Sequence, residues 1–472
     1  MSTRLRRVFA ALAREGLELQ STAHGYRIRR AGRDDIPAAE LLMPSAFPLQ
    51  AKALHQLMDF AGVRHPAGGQ VCRVCATPDF HAGHRVPVGA VVATTLDLVV
   101  PQAIGTDINC GMRLHVTDLS VDAFAAGKEA LVERLRGDLL LGTRDLPMTP
   151  QSMAAMFGEG SMGWLEAVAR RPGGALARST MAQLWSELSR VYESGSFVGD
   201  ARHAPSSLTD PARDWLRDPT LATLGGGNHF LELQVVDEIL DPRLAFEWGV
   251  RPGQVAFMVH TGSRGVGRHV GNSWIDRARR RWPTGVRHPA AGIFALHGDD
   301  AAEYLEAVHT AANYAFVNRL LLAELVRLRM REVYRPDLEA PLVFDVPHNI
   351  VLREGDRFIH RKGATPAHAG QPVLIPGSMG HSSYLCVGQG SARYLRSASH
   401  GAGRALSRFE VGRKGSRDLG LDGVECITLK AERMIEEAPA AYKPITPVVD
   451  VQVQAGVVSR VARLRPLLTF KG

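Results

Sequence analysis

Short apolar runs that each lead into a turn carrying glycine, asparagine or histidine constrain this chain more than any other feature. Val88–Val92, Val255–Val259, Leu342–Val346 and Val373–Ile375 have the length and β-branched composition of buried strands. The polar residues that follow them are therefore expected at strand ends and on loops, where a rigid scaffold can aim side chains at a ligand. From Asp300 to about Tyr334, Leu305, Val308, Ala312 and Ala315 recur three or four positions apart, which predicts a long, largely buried scaffold helix. Strands interspersed with helices predict a mixed α/β or α+β fold.

The chain has 472 residues, 45% of them hydrophobic, enough for one large domain or two intimate ones. Residues 1–50 read as an N-terminal appendage: a basic amphipathic start (Leu5, Val8, Phe9, Leu12), then polar HGYRIRRAGRDD, then Pro37 and Pro44. Residues 51–472 read as the main domain, with 145–215 as an insertion or small subdomain of weaker periodicity. No stretch approaches the ~20 apolar residues of a membrane helix, and the charged N-terminus lacks an uncharged core and cleavage site. A soluble cytoplasmic protein is expected, with no membrane partner. Five cysteines, at 72, 75, 110, 386 and 426, are an odd number for a chain this long and argue against a disulfide framework. Cys72 and Cys75 form a CxxC without a second pair at zinc-finger spacing and read as structural.

A net charge of +8 favours a polyanionic partner, because Lys and Arg release counterions when they neutralise phosphates. Arg277, Arg279, Arg280 and Arg281 form the densest basic cluster, which the solvated face of a helix would also explain.

Candidate metal ligands are spread over four distant segments: Asp107 and Cys110 in DINCGMR, His229 in GGGNHF, His260 in HTGSRG and His348 in FDVPHN. Manganese or zinc accepts carboxylate, thiolate and imidazole together, whereas magnesium rarely tolerates sulfur or several imidazoles. Asp107 and Cys110 lie close enough to reach one ion, or for a thiolate to bridge two. His400 sits among small residues in SHGAGR. A neutral, oriented, uncrowded imidazole can attack phosphorus, the amides of Gly401, Ala402 and Gly403 can face phosphate oxygens, and Arg404 offers a guanidinium fork. Ser378, in PGSMG, suits a phosphate or base contact, and Arg264 is set to bind phosphate beside His260. No Walker loop is present.

Taken in order, DINCGMR, LGGGNHF, HTGSRGVG, the PHN segment, PGSMG, SHGAGR, EEAPAAYK and the terminal Leu-x-Pro-(x)3-Phe-Lys-Gly resemble the RtcB-type RNA ligases, from about Ala51 to Gly472. The resemblance implies a single large catalytic domain with mixed sheets around a central metal and nucleotide cleft. It implies GTP-dependent ligation of RNA 2′,3′-cyclic phosphate or 3′-phosphate ends to 5′-hydroxyl ends, in RNA repair or tRNA splicing and healing, with two Mn2+ ions and an archease-like activator as a further partner. On the matching positions, His400 would be guanylylated and Asp79, in PDFHAG, would orient it. Asp107, Cys110, His229, His260 and His348 would hold the metals, with Cys110 bridging. Asn228 would contact the GMP phosphate, Glu232, Ser378, Tyr442 and Lys471 would read or stack on guanine, and Arg264 and Arg404 would bind phosphates. The chain departs from the family pattern at His84-Arg85-Val86-Pro87-Val88-Gly89, where a more glycine-rich run is expected at the RNA entrance, and at Pro444 on the guanine-side loop. These departures fit a divergent paralogue with its own preferred RNA ends. A binuclear metal-dependent phosphodiesterase or nuclease would use the same ligand types, and a non-catalytic RNA-binding protein is the other alternative.

Overall fold

The computed structural model describes residues 3–406, 420, 421 and 423–472. The four apolar runs form the strands Val88–Thr94, Gln254–Thr261, Leu342–Pro347 and Pro372–Ile375. They are distributed over two 8-stranded sheets. Along its path the first sheet runs Leu17–Thr22, Gly25–Arg30, Ala39–Leu42, Gly68–His81, Val88–Thr94, Arg357–Lys362, Asn349–Glu354. The second runs Leu342–Pro347, Gly111–Ser120, Gln254–Thr261, Phe230–Ile239, Val458–Lys471, Ser383–Gly388, Pro372–Ile375. The chain crosses from the second sheet to the first over one residue, His348, between the strands Leu342–Pro347 and Asn349–Glu354.

The helix Asp299–Val333 is buried at every residue from Thr310 to Leu328. A helix wrapped on all sides must satisfy its polar side chains internally, and this one does so with ion pairs. Arg319 meets Asp345 at 2.9 Å, Arg327 meets Glu187 at 2.9 Å, and Arg113 joins Asp345 at 3.3 Å and Glu187 at 3.2 Å. Asp345 is fully buried. Removing it as Asp345→Ala leaves Arg113 and Arg319 short of a counter-charge away from water, an expected loss of about 3–5 kcal/mol. Glu166→Ala, which breaks an exposed i,i+4 pair with Arg170, should cost no more than about 0.5 kcal/mol. Denaturant midpoints of the two variants check the contrast.

Residues 145–215 are mostly helical and short-turned. The helix Pro150–Arg170 packs on the long helix and contributes Phe157, Trp164 and Leu165 to the largest apolar cluster. The first fifty residues supply the helix Thr3–Arg14 and three strands of the first sheet, Ala39 pairing in parallel with Val74. Within the polar stretch, GYRIRR alternates as a strand does: Tyr26 and Ile28 are buried while Arg27 and Arg29 face solvent. Two apolar side chains in six residues give this pattern little weight in the sequence. Cys72 lies where the strand Gly68–His81 shifts register between Val71 and Arg73. Cys75 packs in a core cluster. Arg277 pairs with Asp300 at 2.9 Å and Glu303 at 2.6 Å, and Arg279, Arg280 and Arg281 are exposed at the end of the same helix. Among the described residues, no helix is long and apolar enough to cross a membrane.

Candidate active site

Strand register gathers the candidate ligands at one edge of the second sheet. Gly111, directly after Cys110, pairs with Thr261 on one side and Pro347 on the other, so Cys110, His260 and His348 meet there. His260 in turn pairs with Phe230, which brings His229 alongside. The long helix fixes the loops from below. Arg319 donates to the carbonyls of Asn109 at 2.7 Å and Thr261 at 3.2 Å, and Asn318 donates to Gly262 O at 3.0 Å. Asn109 takes a left-handed φ of 54°, which asparagine tolerates in a tight turn, and its amide donates to Ala312 O at 2.7 Å. Gly262 has no side chain for a physical reason: a Cβ there would lie 2.3 Å from Asp107 Oδ1.

Cys110 Sγ lies 3.2 Å from both His229 Nε2 and His260 Nε2, His260 Nε2 lies 3.2 Å from His348 Nε2, and Asp107 Oδ2 lies 3.0 Å from His229 Nε2. Two overlapping groups result, Asp107–Cys110–His229 and Cys110–His260–His348, each with ligand atoms within 4.8 Å of one another, and Cys110 belongs to both. His229 Nδ1 donates to Leu224 O at 2.9 Å, so a neutral His229 turns a lone pair on the Asp107 carboxylate. Only a proton or a cation between them relieves that repulsion. Burial drives His260 and His348 well below the usual histidine range, which leaves their imidazoles neutral and able to ligate. Burial alone would raise Asp107, yet His229 and Cys110 hold its carboxyl below the ordinary range. The donor set therefore fits a cation that accepts N, O and S together, as manganese and zinc do.

His400 follows the strand Ser397–Ser399 and lines the same cavity, its ring 4.8 Å from that of His348. Its Nδ1 donates to Asp79 Oδ2 at 2.5 Å, which leaves Nε2 as the nitrogen with a free lone pair. Asp79 is fully buried and accepts from Thr77 Oγ1 at 2.5 Å; burial alone would raise its carboxyl, but the hydrogen bonds from His400 and Thr77 and the charge of Lys443 hold it below the ordinary range. Gly403 has φ 72°, and a Cβ on it would stand 2.2 Å from Asp79 O, so only glycine lets the loop close over this pair.

The cavity, about 910 Å³, is lined by Asp107, Cys110, His260 and His348 at one end. Gly401, Ala402 and Gly403 follow beside His400, and Asn228, Glu232, Ser378, Arg404, Tyr442 and Lys471 line the remainder. Asp79, His229 and Arg264 stand behind this wall. Arg264 opens the helix Arg264–Arg280 at φ 50°, bonds Thr223 Oγ1 at 3.0 Å and lies against Gly225. Arg404 donates to Glu437 at 3.2 Å and to Glu436 O at 2.9 Å, and its guanidinium lies 5.2 Å over the Tyr442 ring. Ser378 Oγ and His381 Nδ1 are 2.7 Å apart.

Glu232 accepts from Gln234 at 2.7 Å and Thr469 at 2.8 Å, and burial pushes its carboxyl up to about 7 in spite of them. The folded state keeps a proton there that the unfolded chain releases near the ordinary value of 4.5. Stability is therefore expected to fall by about 3 kcal/mol as pH rises from about 4.5 to about 7. Glu232→Gln should abolish that component, read as the difference between wild-type and variant denaturation free energies across the window.

Several residues here had no assigned role in the sequence. Lys443 is buried, donates to Pro78 O at 3.0 Å and Phe80 O at 2.6 Å on either side of Asp79, and is lowered to about 8 by burial. Glu437 is buried beneath Arg404 and Tyr442. Asn349 joins the Asp107 loop at 3.3 Å and accepts from Gly363 N at 2.7 Å. Lys443 and Glu437 fall within EEAPAAYK and Asn349 within PHN, so the motifs marked them without giving their contacts.

A family model described as tRNA-splicing ligase RtcB matches residues 56–472. The tRNA-splicing ligase RtcB of Pyrobaculum aerophilum is 35% identical, with 84% of this chain and 87% of that protein covered. That of Archaeoglobus fulgidus is 34% identical over 84% and 86%, and RNA-splicing ligase RtcB homolog 2 of Entamoeba dispar 33% identical over 85% and 81%. A match that runs from the helix Ala51–Ala61 to the last residue, with relatives covered over most of both chains, means that the chain belongs to the RtcB family.

Proposed function

We propose that this chain is an RNA ligase that joins 2′,3′-cyclic phosphate or 3′-phosphate ends to 5′-hydroxyl ends, drawing GMP from GTP onto His400. The observation that carries the reading is His400 beside the Asp107, Cys110, His260 and His348 ligand atoms in one cavity, with Asp79 on its far nitrogen. An aspartate-oriented imidazole can act as a base or as a nucleophile; the small residues Gly401, Ala402 and Gly403 beside His400 leave room for a nucleotide on it. The names of the relatives, tRNA-splicing and RNA-splicing ligases, point to the same class of substrate.

In this reading His400 Nε2 attacks the α-phosphorus of GTP, a P–N bond forms and pyrophosphate leaves. Asp79 holds the Nδ1 proton and stabilises the positive charge that develops on the ring. A 2′,3′-cyclic phosphate is first opened by water to the 3′-phosphate, with the P–O2′ bond broken; the RNA 3′-phosphate then displaces His400 and takes the GMP, and the 5′-hydroxyl of the second RNA, losing its proton, attacks that 3′-phosphate with release of GMP. Asp107, Cys110, His229, His260 and His348 would hold two manganese ions, which would supply Lewis-acid neutralisation of phosphate charge. Arg404, with Asn228 and the amides from Gly401 to Gly403, binds phosphate. Glu232, Ser378, Tyr442 and Lys471 face the base, with Arg264 bracing the metal loop.

Incubation of the purified chain with GTP and Mn2+ should add one GMP by intact mass, and RNA pairs of defined ends should be joined only when 3′-phosphate or cyclic phosphate meets 5′-hydroxyl. Phosphodiester cleavage without an adduct would replace this reading with the nuclease.

A further inference from the structure

A second cavity, about 300 Å³, lies where the N-terminal segment meets the loop after the helix Arg264–Arg280. Arg30 and Arg33 enter it from the first strands' side, Arg64 from beyond the helix Ala51–Ala61, and Arg287 from the loop, with Trp282 in the wall. Carboxylates answer only part of this charge. Asp59 accepts from Arg30 at 2.6 Å, and Asp35 accepts from Arg33 at 2.8 Å and also from Arg64. Arg287 lines the cavity with no carboxylate partner among the described residues, and Arg30 Nε is buried without an acceptor. Four guanidinium groups thus face two carboxylates.

The two cavities are joined in two ways. The helix Ala51–Ala61 spans them, with Lys52 lining the first and Asp59 the second. That separation is about 10 Å along the helix axis. Between them Arg85, in the HRVPVG departure, donates to Ala291 O at 3.4 Å and packs on Gly292. Gly83 and His84, just before it, line the main cavity, and Ala291 lines the second.

We infer that the second cavity is a docking subsite for the RNA strand whose end enters the main cavity. Its arginines hold backbone phosphate a few nucleotides from the junction, with Arg85 at the crossing. Guanidinium forks suit phosphate oxygens, and the two cavities lie close enough for a few nucleotides of one strand to reach both. A strand is favoured over a free anion because Gly83, His84 and Arg85 set the arginine cavity beside the main one, where a chain of successive phosphates can reach both. Arg30 and Arg33 precede residue 56, where the family match begins, so the subsite is built in part by this chain's own N-terminal segment. The inference rests on the RNA ligase reading for the identity of the strand.

Arg33 and Arg287 are exposed, so Arg33→Ala and Arg287→Ala spare the core. Anisotropy with full-length protein would measure affinity for a long single-stranded RNA and for a short one confined to the main cavity, over a salt series. For the long RNA, the slope of log affinity against log salt should fall by about 0.7 for each arginine removed. The short RNA and the GMP adduct should behave as in wild type. Arg243→Ala, in the helix Pro242–Glu247 packed on the second sheet, is the net-charge control. An unchanged slope for the long RNA, an equal loss in Arg243→Ala, or preference for an acidic peptide over RNA of equal charge would overturn the subsite. Arginine-dependent RNA binding without any GMP adduct would support the subsite and overturn the ligase reaction, which keeps the two failures apart.

Discussion

His400→Ala is expected to eliminate the GMP adduct and to reduce RNA joining to background, with the fold intact. The side chain is 11% exposed and carries one hydrogen bond to Asp79, so its removal opens the cavity wall and leaves the two sheets undisturbed. Asp79→Asn separates the contribution of the orienting group. The amide keeps the shape but carries no charge to stabilise the developing imidazolium and no longer fixes the tautomer, so adduct formation should slow by on the order of 10²–10⁴-fold without disappearing. Asp79→Ala is the worse test, because it also removes the acceptor of the buried Thr77 hydroxyl and leaves a void beside Lys443. Single-turnover rates by intact mass, with circular dichroism to certify folding, check the series. An adduct that persists at wild-type rate in His400→Ala would place the nucleotide on another residue.

How far this site was legible in the sequence depended on range. The strands Gln254–Thr261 and Leu342–Pro347 announced themselves by local composition, and their polar ends gave His260 and His348. The long helix was legible by period and as largely buried, and the structure agrees, though the partners of its buried Arg319 and Arg327 were not legible. What no local pattern could reveal is the support beneath. Arg319 finds Asp345 26 residues away and Asn109 O 210 residues away, and Lys443 reaches Pro78 O across 365. Such contacts depend on the register of whole strands, which is fixed by which faces are buried and not by neighbours in the chain. His348 as the single residue between two sheets belongs to the same class, because a Pro-His-Asn step reads as a turn whether or not the chain changes sheet.

Cys110→Ala is expected to have the second large effect, loss of tightly held metal together with loss of the adduct. Cys110 is the member common to both ligand groups, so its removal weakens two positions, whereas His229 or His348 belongs to one. Changes behind a ligand already cost about 10–100-fold in metal affinity; loss of the shared ligand should exceed that, read as metal retained after dialysis. The pH dependence distinguishes a ligand from a neighbour. Burial raises the Cys110 thiol well above its ordinary range, so the sulfur is protonated in the metal-free protein and must release that proton to bind as thiolate. His260 and His348 are already neutral and Asp107 already ionised, so these three release none near neutrality. The thiol proton by itself should therefore add about tenfold per pH unit to the wild-type affinity for Mn2+. In Cys110→Ala the slope should be smaller by that amount, and an unchanged slope would mean that the thiol does not ligate the ion.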